Sequence, residues 1–208
     1  MTGRFIAVEG ADGTGKSTQA RLLAERLGAL FTREPGGTPL GEQIRDLVLD
    51  PASEAPVDRA EALLMAAARA QHVDLVVAPA LAAGRDVVSD RYVASSIAYQ
   101  GHGRGLGAGS VAEVNEFATG GLAPDLVVLI EMAPPLAGRR LGDDREGELD
   151  RIEQAGDDLQ AVVADAYRAM ATADPGRWVI IDGDGTVDEV AARVAGTVDD
   201  WLNPRWDS

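Results

Sequence analysis

The sequence predicts an α/β fold in which a parallel sheet is covered by helices on both faces. Three observations carry this. Short apolar runs alternate with helical patterns from one end of the chain to the other. Leu126 to Ile130 is an unbroken run of branched and leucine residues, as expected of a strand buried on both sides. A glycine-rich turn, Gly10 to Ser17, lies directly between the first strand and the first helix, where open parallel sheets place their ligands.

Taken in order, Arg4 to Glu9 reads as a buried strand and Lys16 to Leu27 as a helix with an apolar stripe of Leu22, Leu23 and Leu27, stopped by Gly28. Ala29 to Thr32 is a second strand ahead of the Pro35-Gly36-Gly37 turn. Leu40 to Leu49 and Arg59 to Ala82 read as helices, the second interrupted near Pro79. Asp86 to Ser89, Leu126 to Ile130 and Arg177 to Ile181 supply further strands, and Val187 to Trp201 a closing helix. Gly101 to Ser110, with glycine at every second position from 101 to 109, reads as a mobile loop without regular structure. The charged stretch Gly142 to Gly147 reads as a lid, at about 142–149.

With 208 residues, 46% of them hydrophobic, the chain fits one domain over 1–208. Its net charge of −15 and lack of any Lys/Arg run argue against a polynucleotide partner. Small anions remain available to it through local arginines and backbone N–H groups. There is no cysteine, which excludes disulfides, thiol catalysis and Cys-ligated metals, and His72 and His102 are too few for a histidine-rich metal site. The N-terminal apolar run is too short for a signal peptide or a membrane span, so a cytoplasmic location without membrane partners is the expectation.

Gly10-Ala11-Asp12-Gly13-Thr14-Gly15-Lys16-Ser17, followed by Thr18, matches the phosphate-loop pattern G-x-x-x-x-G-K-[ST] at every fixed place. Glycines let the backbone N–H groups curl inward around phosphate, and the helix N-terminus adds favourable potential. Lys16 would reach the β- and γ-phosphates of ATP and Ser17 would ligate Mg2+. The short chain and the absence of an N-K-x-D tetrad favour a small-molecule kinase over a GTPase.

Arg33 to Thr38 and Asp90-Arg91-Tyr92 follow the second and third strands and should face the same crevice as the loop. Asp90 suits the magnesium shell. Arg91 suits a phosphate clamp through charge-assisted bonds.

Here the chain resembles the thymidylate kinase family of P-loop nucleoside-monophosphate kinases. The resemblance is carried by Glu9 to Thr18, Arg33 to Thr38, Leu64 to His72, Asp90-Arg91-Tyr92 with Ser95 to Gly101, Pro124-Asp125-Leu126, Leu149 to Glu153 and Ile181-Asp182-Gly183, in family order along most of the chain. It implies a P-loop NTPase-type three-layer fold with a five-stranded parallel sheet and a lid, a homodimer, and phosphorylation of dTMP to dTDP by ATP with Mg2+. It also implies site residues. Arg69 and Gln100 would hydrogen-bond the thymine edge, Arg91 would clamp the dTMP phosphate, and Asp12 and Tyr99 would surround the deoxyribose, with Tyr99 excluding ribonucleotides. Arg45, Glu34 and Ser96 resemble pocket residues, while Glu9 and Asp90 fit roles around magnesium and its waters. Without the resemblance Arg69 reads as a solvated arginine of an alanine-rich helix, Gln100 as a loop residue and Tyr99 as core. His72 is read as structural or interfacial.

Three positions depart from the family pattern. Met65 stands where a phenylalanine commonly stacks on thymine, and its sulfur can still pack on a ring. Glu131 replaces the usual aspartate at the end of the fourth strand. The lid arginines Arg139, Arg140 and Arg145 lie among Asp143, Asp144, Glu146 and Glu148. Arg145 and Arg151 are the candidates for neutralising charge on the transferring phosphoryl group, and Arg140 for packing on ATP. Two other functions stay open on the sequence: another pyrimidine nucleoside or nucleoside-monophosphate kinase, and a nucleotide-binding protein without turnover.

Overall fold

The computed structural model of the chain describes residues 2–132, 150–152, 154 and 156–203. Strand β1 (Phe5–Glu9) leads through the glycine loop into α1 (Lys16–Leu27), then β2 (Leu30–Arg33), α2 (Pro39–Leu49) and α3 (Asp58–His72). A π-helical turn over Val73–Val77 joins α3 to α4 (Ala78–Ala82), followed by β3 (Val87–Asp90) and α5 (Val93–Ser96). A second π-helical segment, Ile97–Gly103, precedes α6 (Ala108–Thr119), β4 (Leu126–Glu131), α7 (Asp157–Ala173), β5 (Trp178–Asp182) and α8 (Val187–Leu202).

The sheet has five strands in the order β2-β3-β1-β4-β5, and every neighbouring pair is parallel. Alternate side chains build the two cores. Ile6, Val8, Val88, Leu126, Val128 and Ile130 pack with α1 and α8, whereas Phe5, Ala7 and Val87 pack on the opposite side with Val73, Val77 and Tyr92. Register aligns the carboxyl ends: Arg33 pairs with Asp90, Val8 with Asp90, and Glu9 with Leu129. Chain turns and ligand-facing residues therefore collect along one edge of the sheet, on either side of the central strand β1.

Helix ends follow their local chemistry. Thr38 caps α2 by accepting the Gly41 N–H at 3.0 Å, with Pro39 in the first turn. Thr186 and Glu189 form a reciprocal capping box at α8. No helix among the described residues is long and apolar enough to cross a membrane.

Two sequence expectations change. The helix expected over Arg59 to Ala82 does not break at Pro79 itself. Pro79 has no N–H and crowds the preceding turn, and the chain accommodates it by widening upstream, where the Ala78 N–H reaches the Val73 carbonyl. The stretch Gly101 to Ser110, expected to lack regular structure, ends the second π-helical segment and begins α6. Two of its five glycines serve close approach: a Cβ on Gly101 would lie 3.1 Å from the Ala108 Cα, and one on Gly103 would lie 2.4 Å from Leu159 Cδ1. The expected lid at 142–149 lies outside the described residues.

Candidate active site

The phosphate loop runs from the end of β1 to the first turn of α1. Gly10 has a φ of 155°, and a Cβ there would lie 2.5 Å from the Ile130 carbonyl of the neighbouring strand. Gly15, left-handed at φ 83°, turns the chain into α1 with its N-terminal N–H groups free of any side-chain cap. Gly13 is left-handed too, and Thr14 closes the turn through its hydroxyl on the Ala11 carbonyl at 2.9 Å. Lys16 is buried, with Nζ 3.3 Å from Asp12 Oδ1 and 3.4 Å from the Ala11 carbonyl. Burial and the nearby Arg91 charge lower its pKa, which Asp12 and Asp90 partly offset. Ser17 and Thr18 are exposed.

Asp12 joins the loop to Arg91, which follows β3, and to Tyr99 in the second π-helical segment. Its Oδ1 accepts from Lys16 and from Arg91, and its Oδ2 accepts the Tyr99 hydroxyl at 2.8 Å and Gln160 Nε2 at 3.0 Å. Burial would raise this carboxyl, but the two cations and the two hydrogen bonds hold it well below the usual carboxylate range. Arg91 itself sits at φ 69°, a conformation uncommon for a residue with a side chain. Its guanidinium donates to Ser95 Oγ at 2.9 Å, to the Gly10 carbonyl and the Tyr167 hydroxyl at 3.2 Å each, and stacks 5.1 Å from the Tyr99 ring. Burial opposes the Arg91 charge. Tyr99, Asp12, Tyr167 and Asp90 outweigh it and hold the pKa well above that of an ordinary arginine.

Glu9 lies wholly buried behind this clamp. Its Oε1 accepts the Tyr92 N–H at 2.8 Å, and its Oε2 accepts the hydroxyls of Ser95 at 2.6 Å and Tyr167 at 2.9 Å. Burial raises its pKa against those hydrogen bonds and the Arg91 charge. With three donors already on its two oxygens, Glu9 orders Arg91's neighbours.

A cavity of about 260 Å³ opens beside these groups, lined by Asp12, Lys16, Ser17, Asp90, Arg91 and Tyr99 at one end and by Glu34, Arg45, Met65, Arg69, Ser96 and Gln100 at the other. At that second end Arg69 is buried and heavily committed. Its Nε donates to Glu34 Oε2 at 2.6 Å, one terminal nitrogen donates to Ser96 Oγ and Asn115 Oδ1, and the other donates to the Tyr92 carbonyl at 3.3 Å. Of its five N–H donors, one has no partner among the described residues. Gln100 donates Nε2 to Glu61 Oε1 at 2.9 Å, and among the described residues nothing donates to its Oε1. Glu34 also binds His72 Nδ1 at 2.8 Å, whose Nε2 meets Thr32 Oγ1 at 2.5 Å, so His72 is a buried structural link. Arg45 reaches the Pro35 carbonyl at 3.1 Å. Met65 is 7% exposed and belongs to the same apolar cluster as Tyr99.

Asp90 Oδ1 is buried without a hydrogen-bond partner among the described residues, and Ser17 lines the same cavity. A lone carboxylate oxygen and a hydroxyl are hard donors of the kind magnesium takes while keeping waters and phosphate oxygens. No cluster of three or more acidic or histidine side chains exists among the described residues to hold a metal by protein groups alone.

Arg151 is not part of the cavity lining. It donates Nε to the Val48 carbonyl at 2.8 Å and lies 3.6 Å from Glu61 Oε2. Arg140 and Arg145 lie outside the described residues. Glu131 ends β4 in an exposed pair with Arg168 at 2.8 Å. The sequence reading missed Tyr167, Gln160, Asn115 and Glu61. Each lies on a helix with no motif around it, and each reaches the site only through the fold.

The thymidylate kinase family model matches residues 8–194. A thymidylate kinase of Lactobacillus helveticus is 42% identical over 205 residues, covering 96% of this chain and 97% of the relative. One from Leifsonia xyli subsp. xyli is 47% identical over 203 residues, covering 95% of both. Among solved structures, the thymidylate kinase of Ehrlichia chaffeensis superposes with a TM-score of 0.78 at 27% identity, over 95% of this chain and all of that one. The family model spans most of the chain, the Lactobacillus and Leifsonia relatives are 42% and 47% identical over nearly their full length, and the chain belongs to the thymidylate kinase family.

Proposed function

We propose a division of labour among these residues for ATP-dependent phosphorylation of dTMP to dTDP. The loop N–H groups from Gly10 to Thr18 and Lys16 hold the donor phosphates, with Ser17 and Asp90 positioned to hold Mg2+ and its waters. Bound there, the metal supplies charge neutralisation between donor and acceptor phosphates. Arg91 clamps the dTMP phosphate and sets it in line with the γ-phosphoryl group, so that positioning and electrostatics do the catalytic work. Because the acceptor is a phosphate anion, no general base is assigned.

Asp12, whose two oxygens already accept four donors, stands beside the deoxyribose and holds Lys16, Arg91 and Tyr99 around it, while the Tyr99 ring fills the space a ribose would need. Arg69 offers its remaining N–H to the thymine 4-carbonyl, Gln100 Oε1 accepts the ring N3–H, and Met65 packs on the ring, with Arg45, Glu34 and Ser96 completing the wall. Arg145 and Arg151 are the arginines assigned to neutralising the transferring group, and Arg140 is assigned to packing on ATP. Homodimerisation is carried over from the family resemblance, and a monomer in light scattering of the wild-type protein would overturn it. A cytoplasmic location accords with a soluble metabolite pair.

The observation that carries this reading is the Asp12 carboxylate, which bonds Lys16 on the donor side and Arg91 and Tyr99 on the acceptor side of one cavity. The test is dTDP formation across dTMP, dUMP, UMP, CMP, AMP and thymidine. Activity highest with thymidine or AMP, or undiminished dTDP formation after Lys16→Ala and Arg91→Ala, would refute it.

A further inference from the structure

We propose that Glu61, on α3, is a positioning residue that fixes which base edge the cavity accepts by holding the Gln100 amide in one orientation. This rests on the reading that Gln100 faces the base. Glu61 is 1% exposed and does not line the cavity. Its Oε1 accepts Gln100 Nε2 at 2.9 Å and Arg104 Nε at 3.3 Å, and its Oε2 lies 3.3 Å from a terminal nitrogen of Arg104 and 3.6 Å from one of Arg151. Two arginines thus pair the buried charge.

An amide has two ends of similar shape and opposite hydrogen-bonding sense, and the network around it decides which end points where. A carboxylate only accepts. The Gln100 NH2 must therefore face Glu61, and Oε1 is the end presented to the cavity. Rotating the amide by half a turn would press an oxygen against the carboxylate in a buried, low-dielectric site, where the repulsion is strongest. Gln100 is also 2% exposed, so water cannot relieve the mismatch. An acceptor at this point matches the N3–H of thymine or uracil and opposes the bare N3 of cytosine. A glutamine at position 61 could present either end and would release the constraint.

The experiment compares kcat/KM and equilibrium binding of dTMP, dUMP and dCMP in wild type and Glu61→Gln. The dTMP to dCMP preference should fall about tenfold, because an edge-reading contact has lost its fixed polarity. The dTMP to dUMP preference should stay unchanged, since both bases show the same edge, and Glu61→Asp should restore discrimination against dCMP. An unchanged dCMP ratio, or a parallel fall of both ratios as in general loosening, overturns the proposal. If Glu61→Gln fails to fold, the pair Glu61→Gln with Arg104→Met removes a cation with the anion, and the same ratios are read. Gln100→Leu separates the two ideas. Intact preference for dTMP in that variant defeats the base-side reading itself, whereas lost preference in Gln100→Leu with full preference in Glu61→Gln defeats only the role of Glu61.

Discussion

Gln160 grips Asp12 at both ends: its Oε1 accepts the Asp12 N–H at 3.3 Å, and its Nε2 donates to Asp12 Oδ2 at 3.0 Å. This fastens the tip of the phosphate loop to the first turn of α7, 148 residues away. It also fixes the carboxylate that meets Lys16 and Arg91. Gln160→Leu should raise KM for dTMP about tenfold with a smaller change in kcat, since two hydrogen bonds that orient an acceptor-side group are lost, one of them to a charged partner. Steady-state kinetics with dTMP as the varied substrate checks this. An unchanged KM would show that Asp12 is held without it.

Arg91→Lys keeps the charge but loses the fork. In the structure the arginine reaches Ser95, Gly10, Tyr167 and Asp12 from two terminal nitrogens, a spread that a single ammonium cannot reproduce. The expected loss in kcat/KM is at least about a hundredfold, on the scale of truncating a buried charge contact, with ATP affinity nearly intact. Parallel titrations of ATP and dTMP binding separate the two effects.

Asp90→Asn should shift the magnesium requirement. Asp90 lines the cavity, its Oδ1 is buried without a hydrogen-bond partner among the described residues, and an amide there halves the set of hard acceptors and removes the charge. Half-maximal activity should require about tenfold more Mg2+, and chelation should abolish turnover in both proteins. Equal magnesium dependence in variant and wild type would remove Asp90 from the metal's surroundings.

Glu9→Gln tests the buried carboxyl through stability. Burial raises the pKa of Glu9 in the folded state. The folded protein therefore holds that proton more tightly than the unfolded chain, and stability falls as pH rises from the ordinary glutamate value, about 4.3, through the raised one. Above that window the full cost is present; below it the cost vanishes. A glutamine can still accept the Tyr92 N–H and donate to the Ser95 and Tyr167 hydroxyls. The variant should melt higher than wild type at pH 8, with the gap closing towards pH 4. Asp12 contributes with the opposite sign in both proteins, because its lowered pKa makes stability fall as pH drops below the usual carboxylate range, and so it cancels from the comparison.

Met65→Ala addresses the position that departs from its family. Met65 lines the cavity and also packs in the cluster with Ala68, Tyr99 and Leu129. Its truncation should lower stability by about 2–5 kcal/mol, the range for buried large-to-small changes, and raise KM for dTMP. A change in stability alone, seen by thermal melting with unaltered KM, would place Met65 in the core and remove it from base contact.

The sequence by itself determined the parts of this protein whose signals are local. A phosphate loop needs glycines, a lysine and a hydroxyl at fixed spacing between a strand and a helix, so Gly10 to Ser17 could be read directly. Apolar runs such as Leu126 to Ile130 declared the buried strands, and the resemblance along the chain declared the kinase. Tertiary structure decided everything that depends on which distant side chain meets which. The glycines of 101–110 looked like a loop because glycine favours freedom, yet close packing against Ala108 and Leu159 uses Gly101 and Gly103 for the opposite purpose. Arg69 carried no sign of Glu34 and Asn115, which take up much of its donor capacity. Tyr167, Gln160 and Glu61 are single residues on amphipathic helices, where no periodicity distinguishes a site residue from a core or surface one. Sheet register and helix packing bring them to Glu9, Asp12 and Gln100, and hydrogen bonds made across such separations leave no mark in local spacing.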